Sequence, residues 1–138
     1  PEPLRLVVPC IVAGIGCRRG ACAEAIEEAF FLACGQADIS PSAVREAATI
    51  DVKAHEEGLL AFCRARNIPL ATYSAEELSQ VEGSVSPSDF VRATVGVDNV
   101  CERAALADGG KLIFPKLAHG GVTVAFSKVT IKLSFKER

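Results

Sequence analysis

The stretch Leu6-Val7-Val8-Pro9-Cys10-Ile11-Val12-Ala13-Gly14-Ile15-Gly16-Cys17-Arg18-Arg19-Gly20 decides the reading of the fold. Its first half is an unbroken apolar run and predicts a buried strand over residues 4–13. Residues 14–20 read as a glycine turn, and an amphipathic pattern starting near Cys22 predicts a helix over about residues 21–34. Strand, glycine turn and helix in that order are how open α/β folds hold a ligand, at the carboxyl end of a strand with a helix N-terminus aimed at it. Arg18 and Arg19 within the turn make an anion the expected ligand.

Outward from this unit the pattern continues as strand and helix. Cys22, Ile26, Ala29, Phe30 and Ala33 recur at helical spacing as the face turned to the sheet, and Gly35 is placed to end the helix. Ser40-Pro41 predicts a short helical turn, and residues 44–50 a second strand. A helix over about residues 52–66 follows, with Val52, Leu59, Leu60 and Cys63 inward and Asn67 and Pro69 closing it. A short strand at 69–73 completes a β-α-β-α-β progression, which favours a parallel sheet. The middle is helical: Ser74 and Glu77 form a capping box, Ser86-Pro87-Ser88-Asp89 starts a helix, and Asn99 starts another that Gly109-Gly110 ends. Strands at 111–114, 117–119 and 122–126 surround the hairpin signal Gly120-Gly121. Beyond them Val129, Ile131, Leu133 and Phe135 alternate with Lys128, Thr130, Lys132 and Ser134, as in a half-buried strand protecting a sheet edge. The expected fold is α/β: a single three-layer domain with a mixed sheet, a parallel start, a helical middle and antiparallel C-terminal strands.

Bulk properties narrow the function. At 138 residues, with 49% hydrophobic residues, the chain suits one domain with one core. A net charge of −2 lacks the basic excess of a general nucleic-acid binder, and one Tyr with no Trp offers no base-stacking surface. No apolar run reaches the ~20 residues that span a bilayer, and Pro1-Glu2-Pro3 does not open a signal peptide. A cytoplasmic protein away from membranes is expected. The cysteines, at positions 10, 17, 22, 34, 63 and 101, form no Cys-x-x-Cys pair, and His55 and His119 are the only histidines. They read as core residues of a reduced compartment rather than as metal ligands. Cys17 is the exception, because the arginines and the helix start beside it favour a thiolate.

Three clusters could carry chemistry. Gly14, Gly16 and Gly20 are spaced Gly-x-Gly-x-x-x-Gly, one residue longer than the dinucleotide fingerprint. Asp51 lies 31 residues past Gly20, where the fingerprint expects its acid after about 20. A dinucleotide-binding domain is therefore the weaker alternative, and these glycines serve close strand–helix packing equally well; no cofactor is expected. Asp51-Val52-Lys53-Ala54-His55-Glu56-Glu57-Gly58 follows the second strand, so a parallel sheet puts it on the same edge as the glycine turn. Arg18 and Lys53 there can grip carboxylates, and Glu56 or His55 can act as a general base, although helix-start acids that favour the dipole explain the cluster as well. The third cluster, Gly96 to Glu102, presents a glycine before a helix start at Asn99; Lys116 and Thr123 add polar groups on the late strands.

Taken together, Gly14-Ile-Gly-Cys-Arg-Arg-Gly20, Ile50-Asp-Val-Lys-Ala-His-Glu56, Val95-Gly-Val-Asp-Asn-Val-Cys-Glu102 with Ala104-Ala-Leu106, and Lys116 ahead of Gly121-Val-Thr-Val-Ala125 resemble one family. It is the C-terminal domain of the cobalamin-biosynthesis protein CbiG, which also occurs alone as CobE, a form this length resembles. The resemblance covers about residues 6–126. It implies a role in corrin-ring assembly, with a precorrin or other corrinoid as the small-molecule partner and enzymes of the same pathway as protein partners. Full-length CbiG-type proteins are associated with opening a δ-lactone on a cobalt-precorrin and losing acetaldehyde. Two departures stand out: His55 occupies a position where relatives commonly carry an acid, and the tail beyond Phe126 is longer than the family pattern.

Two functions follow from the resemblance and the residues. The first is a carrier or accessory protein that binds the acetate and propionate side chains of a corrinoid through Arg18, Arg19, Lys53 and the helix starts at Gly20 and Asn99. The second is a hydrolase, with Glu56 or His55 activating water while Arg18 and Lys53 stabilise the oxyanion. The expected binding residues are Gly14, Gly16, Cys17, Arg18, Arg19, Gly20, Asp51, Lys53, Gly96, Asn99, Glu102, Lys116 and Thr123.

Overall fold

The structure is a computed structural model that describes residues 4–81, 100–107 and 109–135, with side-chain surroundings for those between 10 and 129. The helix start expected at Ser86, together with Gly96 and Asn99, lies outside the described residues. Strands β1 (Leu4–Cys17), β2 (Val44–Ile50), β3 (Leu70–Tyr73), β4 (Lys111–His119) and β5 (Val122–Phe135) form one sheet in the order β3-β2-β1-β5-β4. β1, β2 and β3 are parallel, while β5 runs antiparallel to both β1 and β4. Helices α1 (Ala23–Ala37) and α2 (Glu57–Arg66) cover one face; α3 (Ala75–Ser79) and α4 (Val100–Leu106) cover the other. This is the three-layer α/β arrangement with a mixed sheet.

Strand alternation decides which layer each residue joins. Ala13 and Ile15 of β1 and Val122, Val124 and Phe126 of β5 pack beneath α1 and α2, where the rings of Phe30 and Phe62 meet edge-on at 5.1 Å. Val12 of β1 joins Ala48, Ile50, Leu78, Val100 and Ala104 on the opposite face. A hairpin at Gly120 and Gly121, both at positive φ, joins β4 to β5.

The elements depart from the sequence reading at four places. β1 does not turn at Gly14; it stays in the ladder to Cys17, with Gly14 opposite Ala125 and Gly16 opposite Thr123. A long antiparallel partner holds the glycines extended. α1 runs past Gly35 to Ala37, because Asp38 takes the left-handed C-cap at φ 57°; Cys22, expected on its inner face, is exposed ahead of the helix. Residues 51–53 form a separate 3-10 turn and α2 begins only at Glu57, so Val52 is 66% exposed rather than inward. β4 is one strand, carried through Pro115 by irregularities in its register with β5. Pairing of β4 ends at Lys111 opposite Lys128, so residues 129–135 of β5 are hydrogen-bonded on their β1 side.

Candidate functional site

The carboxyl ends of β1 and β2 and the amino end of β5 meet at one edge of the sheet, where Cys17 pairs with Val122. The backbone leaves β1 through Arg18, whose N–H donates to the Gly121 carbonyl at 3.2 Å, and folds back through an Ala21 N–H bond to the Arg18 carbonyl. Gly20 sits at φ +78°, a conformation open to glycine because it has no Cβ. The Gly20 N–H donates to Glu56 Oε1 at 2.9 Å. That bond joins the glycine turn to the segment ahead of α2, which comes close because Gly58 lies against the Ala21 carbonyl with no room for a Cβ.

On the α1–α2 side of this edge stand Cys17, Lys53 and Glu56, all half-buried. Burial pushes the Cys17 thiol above its ordinary pKa; Lys53 pulls it back down and Glu56 pushes it up. The thiolate expected from the neighbouring positive charge is thus outweighed by desolvation. Arg18 and Arg19 are exposed, as are Asp51 and His55. The Arg18 guanidinium lies over Gly121, in the space a Cβ would need.

The α4 side holds a second polar group. The Thr123 hydroxyl donates to the Gly16 carbonyl at 3.4 Å and also bonds the Cys101 sulfur. Burial pushes the Cys101 thiol up to about 12, with Thr123 and Lys116 acting in the opposite direction. Glu102 is fully buried, and its Oε2 accepts the Lys116 N–H at 2.8 Å.

The structure therefore brings Gly16, Cys17, Arg18, Gly20, Lys53, Glu56 and Thr123 to one edge, with Arg19, Asp51 and His55 exposed around it. Gly14 and Glu102 are buried. Gly14 lets α4 settle onto β1, since a Cβ there would collide with the Cys101 carbonyl oxygen. Both lie beneath the surface of this edge. Gly58, Cys101 and Gly121 take part in the geometry although none was named among the expected binding residues. The signals for the two glycines were their places at a helix start and in a hairpin, which tell nothing of what approaches them. Among the described residues no three His, Cys, Asp or Glu side chains gather as a metal-holding group. No helix among them is long and apolar enough to cross a membrane.

Comparison with known proteins agrees with this architecture. The crystal structure of CobE, a protein from the cobalamin (vitamin B12) biosynthetic pathway, superposes with a TM-score of 0.82 at 28% identity, covering 99% of this chain and 97% of that one. Protein CobE of Sinorhizobium sp. is 31% identical over 121 residues, 85% of this chain and 79% of the relative. The cobalt-precorrin-5A hydrolase of Salmonella typhimurium is 33% identical over 121 residues, which are 87% of this chain but 34% of that protein. The chain thus spans about a third of the hydrolase's length. The family model described as cobalamin synthesis G C-terminus matches residues 11–127, and the chain belongs to that cobalamin-biosynthesis family.

Proposed function

We propose that the protein binds a precorrin or related corrinoid through its peripheral carboxylates, as a carrier or accessory of the pathway. The observation that carries this reading is the bond from the Gly20 N–H to Glu56 Oε1 at 2.9 Å. The glycine turn already receives a carboxylate, in a setting where Arg18, Arg19 and Lys53 supply positive charge. A charged acceptor makes such a backbone bond stronger than a neutral one would. Corrinoid acetate and propionate groups have the same chemistry as the Glu56 side chain. Gly16, Thr123 and Asp51 border the same edge, and Gly96 and Asn99 belong to the proposal on sequence grounds. Other enzymes of the pathway are the protein partners this role implies, in the cytoplasm.

The test is a spectroscopic titration with cobyrinic acid, a corrin with free acetate and propionate side chains. Arg18→Ala should weaken binding by about tenfold, the worth of one charge-assisted contact, while Lys128→Ala, midway along β5 and away from this edge, should not. Equal effects would remove the site.

A second reading, lactone hydrolysis, is favoured by the name of the Salmonella relative and by half-buried Glu56 beside exposed His55. In that reaction Glu56 or His55 would take the proton of a water attacking the lactone carbonyl, and Arg18 and Lys53 would face the oxyanion. Ring opening leaves a carboxylate and a freed alcohol; loss of the alcohol proton and cleavage of its carbon–carbon bond to the macrocycle then release acetaldehyde, the bonding electron pair remaining on the macrocycle. Acetaldehyde formed from a lactone-bearing cobalt-precorrin establishes this reading; binding without it leaves the carrier role.

A further inference from the structure

Glu102 is the one fully buried acidic side chain among the described residues, and its position in the fold is specific. It projects from α4, which lies close on the sheet because Gly14 offers no Cβ to the Cys101 carbonyl. Across β5 from that contact, the register of β4 slips. Phe114 pairs with Phe126 and Leu117 with Val124, so Pro115 and Lys116 together stand opposite Ala125. Two residues facing one is a β-bulge, which bends the strand and re-aims a side chain. Proline has no N–H to give to a ladder. The N–H of Lys116 turns to Glu102 Oε2 at 2.8 Å.

The bulge also places Lys116 with respect to the site. Its ammonium is close enough to Cys101 to favour the thiolate, and the Cys101 sulfur is bonded by Thr123, whose hydroxyl reaches the Gly16 carbonyl. Lys116 thus acts electrostatically on the α4 side of the edge whose other side carries Lys53 and the glycine turn.

We propose that Glu102 is a positioning residue. Its buried carboxyl group holds the bulged backbone at Lys116 and so sets the direction in which the Lys116 ammonium meets a carboxylate of the bound macrocycle. This rests on the corrinoid-binding reading and adds to it a second cation on the opposite face, held by an acid that never touches the ligand. The arrangement makes the site two-sided: Lys53 grips from the α1–α2 face and Lys116 from the α4 face, with Arg18 over the β4–β5 hairpin between them. It suits a broad ligand with carboxylates around its rim better than a small monoanion.

The experiment is a double-mutant cycle read by cobyrinic acid binding, with melting temperature followed for every variant. Glu102→Asp withdraws the acceptor by one methylene; Glu102→Gln keeps an oxygen in place. Asp should weaken binding by about tenfold, as Lys116→Ala should, while Gln stays within about twofold of the parent, since an amide oxygen still accepts the bond. Asp combined with Lys116→Ala should bind no more weakly than Lys116→Ala alone, because both remove the same contact. Multiplying losses in the double variant would overturn the proposal by showing that Glu102 acts through general packing. Parent-like binding by Lys116→Ala would overturn it too. If Arg18→Ala binds like the parent while Lys116→Ala does not, the glycine-turn reading falls and the role of Glu102 stands.

Discussion

The Thr49 hydroxyl donates to the Ile15 carbonyl at 2.7 Å, inside the core, and ties the end of β2 to the end of β1 immediately before the site begins. Thr49→Val keeps the shape and removes the donor. A lost buried bond of this kind costs about 1–2 kcal/mol. Urea unfolding should show that loss through a lower midpoint with an unchanged slope, and an unchanged midpoint would refute it.

Gly14 and Gly35 should respond to alanine in opposite ways. At Gly14 the new methyl meets the Cys101 carbonyl and α4 has to lift, a clash worth about 3 kcal/mol or more. Lifting α4 would also expose the Cys101 thiol to alkylation. Gly35 lies inside α1 with open space around it, so alanine should stabilise by about 0.5–1 kcal/mol through backbone entropy. Thermal melts of the two variants moving in the same direction would contradict this account.

Gly121→Ala should weaken cobyrinic acid binding although residue 121 bears no charge. The Arg18 guanidinium fills the place of the missing Cβ, and Gly121 holds φ +81°. The variant both strains the hairpin and displaces Arg18. Its binding should fall to the level of Arg18→Ala; parent-like affinity would show that the position of Arg18 over the hairpin is immaterial.

The thiols should react in an order set by burial. At pH 8 exposed Cys22 is alkylated first and Cys17 more slowly, since desolvation keeps its thiol protonated. Cys34 and Cys63, pushed up to about 11, and Cys101, pushed up to about 12, should wait for unfolding. Lys53→Ala should slow Cys17 further, because the lysine is what pulls that thiol down. Mass spectrometry of timed reactions checks the order.

Those raised values also fix a pH dependence. An unfolded chain ionises the same thiols near 9, so between pH 9 and about 12 it releases protons that the native state retains. Stability is then fully present below pH 9 and lost as pH rises through the native values. Replacing Cys63 by Ala should flatten the alkaline limb of a stability-against-pH curve; an unaltered limb would show that the decline comes from other groups.

The fold was legible in the sequence where its causes are local. β2 occupies the predicted residues 44–50, and Ser74 with Glu77 forms both bonds of the capping box, because a strand's apolar run and a cap need only neighbours. The placement of the glycine turn beside residues 51–56 followed from the parallel β-α-β rule, and the Gly20–Glu56 bond is its outcome. What escaped is non-local. Nothing near Gly14 announces a helix arriving from residues 100–106, or a β5 ladder that keeps it extended. Val52 fits a helical stripe, yet the helix begins too late to use it. The bulge that meets Glu102 escaped too, since a sequence shows an acid near a helix start and not the strand that arrives beneath it.

Gly16 and Thr123, bonded at the site, are 107 residues apart along the chain. β1 therefore cannot find β5 until nearly all of the intervening chain has been made and collapsed, and contacts of such separation form slowly. A partly folded chain lacks the Thr123 and Lys116 side of the site. A corrinoid added during refolding should leave the folding rate unchanged and slow only unfolding, by stabilising the native sheet alone.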